Sequence, residues 1–312
     1  MPRTPYGKRL NRWILPVCGL LLLAACKRET VELQGSTSEP AAAVRGLAQH
    51  LQRNDLAGFA RSAVPPDYHA QLETAWRQGH SRWPLTELPL DDKLVPLLAA
   101  LAAPGSEKEL IASFDRQFAR QDRDLKDAAR ALGQFGVQYV RHEGDYTAEE
   151  RDHYVQLIGA LGEWAAQAPL GDPRLAHAAI PQLTAAARQA GLDTEEALQQ
   201  AGMAASLQRL TPLLVEVKAV LASYGLSLDR TFADLRTGLV QQQGDRASVR
   251  IHYPLGDREI DTVVSLERRN GRWYLSDYLR HAEQAIAAMQ PDPGAVPPID
   301  PDSLPGAVAP PG

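Results

Sequence analysis

Residues 246–275 read RASVRIHYPLGDREIDTVVSLERRNGRWYL, and this stretch decides the fold class. Buried-type side chains alternate with polar ones along three runs: Val249, Ile251 and Tyr253; Ile260, Thr262, Val264 and Leu266; Trp273 and Leu275. A period of two is typical of strands with one buried face. Gly256-Asp257 and Asn270-Gly271 separate the runs, and Asn-Gly is a strong signal for a two-residue hairpin turn. The stretch therefore predicts an antiparallel β-meander of three strands, or of four if residues 240–243 join it.

The chain before this stretch has a helical pattern. It is rich in Ala, Leu, Gln, Arg and Glu, which are good helix formers, and its apolar residues recur at i, i+3 and i+4. Asp55 is a candidate helix cap, Ser106-x-x-Glu109 and Thr147-x-x-Glu150 are candidate capping boxes, and Gly225 is a helix stop. The capping box at Ser106 predicts a long helix that extends to Leu132, with an alternating-sign charge run over residues 115–126 on its exposed face.

The predicted fold class is α+β and predominantly α-helical. A helical body covers residues 41–238, and the antiparallel meander with a short helix, packed on that body, covers 239–289. The tail at 290–312 is rich in proline, which predicts an unfolded, extended segment.

The N-terminus has the pattern of an export signal. Four basic residues and no acid occupy the first twelve positions, and residues 13–25 are almost wholly apolar. Thirteen helical residues span about 20 Å, short of the ~30 Å hydrocarbon core, so a permanent membrane helix is the weaker interpretation.

The run Leu23-Ala24-Ala25-Cys26 resembles the lipobox of bacterial lipoproteins. The resemblance implies that residues 1–25 are removed and that Cys26 is lipidated, so that 26–40 become a lipidated tether. The alternative is an ordinary cleaved signal with a chance cysteine. In enterobacterial lipoproteins an aspartate after the cysteine favours inner-membrane retention. Lys27 stands there instead, and the resemblance therefore implies an outer-membrane protein that faces the periplasm.

Composition excludes several classes of function. The chain has two cysteines, Cys18 in the proposed signal and Cys26, so the mature body would hold no disulfide, cysteine nucleophile or thiolate metal site. Four of the 33 basic residues and none of the 38 acidic ones lie in residues 1–25, which leaves a mature formal charge of −9. Such a chain lacks the basic patch that nucleic-acid binding needs, and we expect neither a metal nor a cofactor.

The densest ionisable cluster is His142-Glu143-x-Asp145 with Asp152-His153. It lacks the H-E-x-x-H spacing of a zinc site and is interpreted as a solvated turn and helix start. His142, Glu143, Asp152 and His153 would be the first residues to test if the protein were a hydrolase. Ser62, Ser81 and Ser206 have no G-x-S-x-G context, and no nucleotide-binding glycine motif occurs.

Four aromatic residues near the C-terminus form a second candidate group: Tyr253, Trp273, Tyr274 and Tyr278. They pack into the core, or they line a shallow ligand cleft between sheet and helices. The last strands, with the run Asn-Gly-Arg-Trp-Tyr, resemble the end of the cone-shaped α+β scaffold of the nuclear-transport-factor superfamily. That resemblance covers about 50 residues and implies no catalytic residue.

These observations favour a membrane-anchored envelope lipoprotein without enzymatic activity, which binds a periplasmic protein partner or helps to maintain the envelope. The first alternative is a carrier of a small molecule or lipid, with a cleft beside Tyr253 or Trp273. The second alternative is a hydrolase.

Overall fold

The computed structural model describes residues 39–88, 91–144 and 146–289. In these residues eleven α-helices precede a four-stranded antiparallel sheet, and a twelfth helix follows it. The predicted α+β, mainly helical fold class is confirmed. The proposed signal peptide, Cys26, most of the tether and the proline-rich tail lie outside the described residues.

The helices are α1 (Glu39–Gln52), α2 (Leu56–Ala63), α3 (Pro66–Arg77), α4 (Leu94–Ala102), α5 (Ser106–Gln117), α6 (Asp122–His142), α7 (Ala148–Gln167), α8 (Pro173–Ala190), α9 (Glu195–Ala201), α10 (Met203–Ser223), α11 (Leu228–Ala233) and α12 (Ser276–Ala287). Two short 3-10 helices, Leu85–Glu87 and Asp91–Lys93, precede α4. The strands are β1 (Arg236–Gln243), β2 (Arg246–Leu255), β3 (Arg258–Arg269) and β4 (Arg272–Leu275).

Three of the predicted helix signals act as expected. The Asp55 carboxylate accepts a hydrogen bond from the Gly58 amide and so caps α2. Thr147 and Glu150 form a reciprocal capping box at the start of α7. After α10, Gly225 has a φ of +92°, a conformation that favours glycine.

The predicted helix from Ser106 to Leu132 is wrong in two respects. Ser106 is the first residue inside α5, and its hydroxyl donates to the Leu101 carbonyl instead of forming a capping box. The chain also leaves the helix after Gln117 and turns at Arg120, whose φ is +63°. The charge run over 115–126 therefore crosses the break between α5 and α6 and does not form one helix face.

The sheet is a meander in the order β1-β2-β3-β4. Each hairpin has a two-residue turn, at 244–245, 256–257 and 270–271. Asn270 and Gly271 have φ values of +50° and +78°, as the Asn-Gly signal predicts. The optional fourth strand, predicted for residues 240–243, is present as β1. It begins at Arg236, so the predicted boundary between the helical body and the meander, at Leu239, lies inside this strand.

The alternation predicted for β2 and β3 matches the burial. Val249, Ile251 and Tyr253 lie opposite Val264, Thr262 and Ile260, and five of these six side chains are buried. They form one core with residues of α1, α7 and the segment after α10. Helix α1 contacts both edge strands, β1 and β4, and so crosses the sheet.

A second core lies among the helices. Its largest members include Trp76 of α3 and Trp83, each about 1% exposed, and the Trp76 indole donates to the Leu198 carbonyl at 2.8 Å. Trp83 and Leu85 are buried, so the segment after α3 covers part of this core. Residues of α2 and α12 belong to this core, and Leu275 of β4 packs against it.

Helices α6 and α7 form a hairpin in which two glycines allow close approach. A Cβ atom added to Gly133 or to Gly162 would lie 3.0 Å from the Cα atom of the other. Such a distance is tighter than most Cβ contacts, so a side chain at either position would push the two helix backbones apart by a few tenths of an ångström. Gly159, one turn earlier in α7, has open space around its own Cβ position.

We expect opposite effects from alanine at the two α7 glycines. Gly162→Ala should lower the free energy of unfolding by about 1–2 kcal/mol, because the added methyl group meets the backbone of α6. Gly159→Ala should raise it by roughly 0.5–1 kcal/mol, because alanine is the better helix former. Urea unfolding followed by circular dichroism measures both, and an equal gain in stability for the two variants would contradict the close packing.

Candidate functional site in a groove beside the last strand

A groove of ≈570 Å³ lies between α1, the end of α2 and β4. Trp273 and Tyr274 of β4, whose side chains point to opposite faces of the strand, line it together with Ala42, Ala43 and Gly46 of α1. Because these α1 residues are small, space remains between helix and strand. A Cβ atom on Gly46 would meet no atom within 4 Å.

The rim of the groove carries charge of both signs. Arg61 of α2 and Arg272 of β4 are exposed and line it, as does Glu39 at the start of α1. His50 and Ser62 complete the polar side. Aromatic and aliphatic side chains beside two cations suit a ligand with an apolar part and an anionic group.

Trp273 and Tyr274 are the two predicted aromatics that meet at this groove. They are 5% and 4% exposed, and burial raises the pKa of the Tyr274 hydroxyl. The Arg268 guanidinium lies 5.6 Å from the centre of the Trp273 ring. The Trp273 Nε1 atom is buried and finds no acceptor among the described residues.

The other two predicted aromatics lie elsewhere. Tyr253 belongs to the sheet core, where its hydroxyl is 2.6 Å from Nε2 of His153 on α7. Burial lowers the pKa of His153 and raises that of Tyr253, so burial favours the neutral form of both side chains. Tyr278 packs edge-on against Phe59 of α2 at 5.9 Å between ring centres.

The predicted ionisable cluster does not form one site. His142 ends α6 and is exposed, whereas His153 is the partner of Tyr253. Asp152 accepts a hydrogen bond from Gln156 one turn later, and Asp145 lies outside the described residues. Within 39–88, 91–144 and 146–289 no group of three His, Cys, Asp or Glu residues has metal-binding geometry, and no helix is long and apolar enough to cross a bilayer.

A charged network that the sequence did not indicate joins α7, α12 and the 3-10 turn before α4. His281 Nδ1 lies 2.9 and 3.0 Å from the two Glu87 oxygens, and its Nε2 is 3.6 Å from Glu150. The hydrogen bond with Glu87 raises the pKa of His281. Arg280 donates to both Glu150 oxygens, at 2.8 and 2.9 Å. Because the opposite charges compensate one another, the network holds α7, α12 and the 3-10 turn together.

A hydrogen-bonded chain of three side chains stands at the groove. His50 Nδ1 is 2.9 Å from Asp55 Oδ2, and Ser62 Oγ is 3.1 Å from His50 Nε2. His50 lies in the last turn of α1, Asp55 caps α2, and Ser62 is in the last turn of α2. Asp55 follows His50 by five residues and Ser62 follows Asp55 by seven, and no sequence motif has these residue types at these spacings. The sequence therefore did not indicate the three hydrogen-bonded side chains, and Ser62 was tested only for a G-x-S-x-G motif.

Helix α6 also exposes an apolar face. Leu132, Phe135 and Tyr139 are 69%, 67% and 52% exposed and follow a helical spacing. Nothing among the described residues covers this face. The sequence-based expectation of a periplasmic protein partner stays a prediction.

Comparison of the chain with protein-family models, with curated proteins and with solved structures finds no match.

Proposed function

We propose that this protein is a lipid-anchored, periplasm-facing lipoprotein of the outer membrane that binds an amphiphilic anion in the groove between α1, α2 and β4. The ligand class is an acyl chain or another apolar group that carries a carboxylate or phosphate. The observation that carries the proposal is a groove lined by aromatic and aliphatic side chains beside Arg61 and Arg272.

The chemistry of the walls supports this ligand class. The aliphatic side chains of Val44, Leu47 and Leu275 line the groove together with Trp273 and Tyr274. An apolar ligand segment there would gain about 25 cal/mol for each Å² removed from water. The two guanidinium groups at the rim favour a negative head group over a neutral one.

The position of the groove supports a ligand drawn from the membrane. Glu39, the first residue of α1, lines the groove, and it follows Cys26 by thirteen residues. A fully extended segment of that length reaches at most about 45 Å. If Cys26 carries lipid, the groove stays within that distance of the bilayer.

Gly46→Leu tests the groove, because a leucine there projects into open space and also favours the helix. The mature chain with Cys26→Ser is titrated with 11-(dansylamino)undecanoic acid, whose emission rises in an apolar site. We expect saturable binding, and a Kd at least about tenfold higher for Gly46→Leu. Unfolding curves should show no loss of stability.

The charge requirement is tested with the methyl ester of the same probe. Arg272→Gln should weaken binding of the acid and leave binding of the ester nearly unchanged, since only the acid carries a negative charge. Gly159→Leu, at an open position of α7, is the control for Gly46→Leu. Equal affinity of the Gly46→Leu and Gly159→Leu variants for the acid would contradict the proposal.

A further inference from the structure

We propose that Ser62, His50 and Asp55 form a catalytic triad that hydrolyses carboxylic esters bound in the groove, an inference that rests on the groove being the ligand site proposed above. Ser62 would be the nucleophile, His50 the general base and acid, and Asp55 the residue that orients His50. The proposal adds an esterase activity to the binding function.

The geometry has the order that nucleophilic catalysis requires. The serine hydroxyl contacts one nitrogen of the imidazole at 3.1 Å, and the carboxylate contacts the other at 2.9 Å. Triads are recognised by this geometry and not by sequence order, and it occurs on unrelated folds. Ser62 is exposed and lines the groove together with His50, so a bound ester can reach its hydroxyl.

The helix cap holds Asp55 in its charged form. Its Oδ1 accepts the Gly58 amide at 2.7 Å, which leaves Oδ2 for His50. The hydrogen bond from Gly58, and after it the hydrogen bond and the electrostatic attraction of His50, lower the pKa of the Asp55 carboxyl. A carboxylate cannot donate, so His50 Nδ1 carries the hydrogen, and in the neutral imidazole Nε2 presents a lone pair to Ser62.

The absence of a side chain at Gly58 leaves the space that Asp55 and His50 occupy. A Cβ atom at this position would overlap the Asp55 carboxylate and would lie 2.5 Å from His50 Nδ1. Alanine would favour the helix by about 1 kcal/mol, so a glycine at this position is explained by the space that Asp55 and His50 occupy. Gly58 is thus a positioning residue for the triad.

The proposed reaction converts an ester and water into a carboxylic acid and an alcohol. Ser62 Oγ attacks the carbonyl carbon while its proton passes to His50 Nε2. The tetrahedral intermediate collapses, the bond to the alcohol oxygen breaks, and that oxygen takes the proton from His50. Water then attacks the acyl-serine, gives a proton to His50, and the acid leaves as Ser62 recovers its hydrogen.

The rim of the groove favours the charge that develops. The tetrahedral intermediate carries a negative oxygen, and positive groups near that oxygen lower the barrier. Arg61, adjacent to Ser62 in the chain, and Arg272 across the groove both line the cavity.

The test uses the full-length lipidated protein in non-ionic detergent, with p-nitrophenyl butyrate as the substrate. We expect hydrolysis above the buffer rate, and a decrease of about 100-fold or more in kcat/KM for Ser62→Ala. Diisopropyl fluorophosphate should modify Ser62, as located by mass spectrometry of peptides. Equal rates for the native chain and Ser62→Ala, no turnover by the native chain, or labelling only at another residue would each overturn the proposal.

Three variants separate catalysis from structure. Asp55→Asn keeps a side-chain oxygen for the helix cap but removes the charge that orients His50, so activity should fall while the unfolding temperature changes little. Gly58→Ala should lower kcat without removing any triad group. Ser223→Ala, at the exposed end of α10, is the matched serine control and should keep full activity.

The dansyl probe distinguishes failure of this inference from failure of the binding function. Probe binding without ester turnover by the native chain would overturn only the triad. Turnover that depends on Ser62, without saturable binding of the probe, would support the triad and overturn the amphiphilic-anion proposal.

Discussion

Replacing Cys26 with serine should move the protein from the membrane fraction to the soluble fraction. Two or more acyl chains, at ~0.8 kcal/mol for each buried CH₂ group, hold a protein firmly on a bilayer. The mature chain would carry a formal charge of −9, which offers no attraction to anionic lipid that could replace the anchor. Fractionation and immunoblotting after a carbonate wash measure the change.

The Cys26→Ser chain is best exported on an ordinary cleavable signal, so that residues 1–25 cannot hold it at the membrane. Cys18→Ser is the matched control, because Cys18 lies in the segment that the lipobox resemblance assigns for removal. The control should stay membrane-bound, and its mature N-terminus should have the mass of acylated Cys26. Tight membrane association of the Cys26→Ser chain would disprove the lipid anchor.

Glu150→Ala should cause a large loss of stability. Glu150 is 8% exposed, accepts two hydrogen bonds from Arg280, and caps α7 through the Thr147 amide. Its removal leaves the guanidinium without its main partner, and breaking a buried ion pair costs about 3–5 kcal/mol. About a third of the Arg280 side chain is in contact with water, so we expect about 3 kcal/mol and a decrease in Tm on the order of 10 °C.

Glu149→Ala is the control for this prediction, because Glu149 is the exposed neighbour on the same helix turn. It should change the free energy of unfolding by less than about 0.5 kcal/mol. Glu150→Gln keeps an oxygen that accepts from the Thr147 amide but removes the negative charge. The decrease in its free energy of unfolding therefore measures the contribution of the ion pair alone, without that of the helix cap. If Glu149→Ala and Glu150→Ala unfold at the same temperature, the network does not tie α7 to α12.

Local signals explain which elements could be predicted. The capping box at Thr147 and the turn at Asn270-Gly271 were confirmed because each depends on hydrogen bonds between residues close in the chain. Ser106 shows the limit of such patterns: its sequence fits a capping box equally well, but its hydroxyl donates to Leu101. The break at Arg120 was missed because no glycine or proline marks it.

The groove was partly predicted. Trp273 and Tyr274 were named from their place in an aromatic strand, and both line it. Tyr253 and Tyr278 follow the other stated alternative and pack into cores, and Trp273 also belongs to the sheet core although it lines the groove. The chain of Asp55, His50 and Ser62 depends on the angle between two helices, which a spacing of residues does not specify.

The sequence by itself determined that a helical region precedes an antiparallel sheet with one buried face, because hydrophobic period and turn chemistry are properties of neighbouring residues. Only the tertiary structure decided that His153 meets Tyr253, 100 residues later, and that Glu150 meets Arg280, 130 residues later. It also decided that α1 crosses the sheet and leaves a groove beside β4. These contacts follow from how whole elements pack, and packing depends on the shapes of all the surfaces that meet.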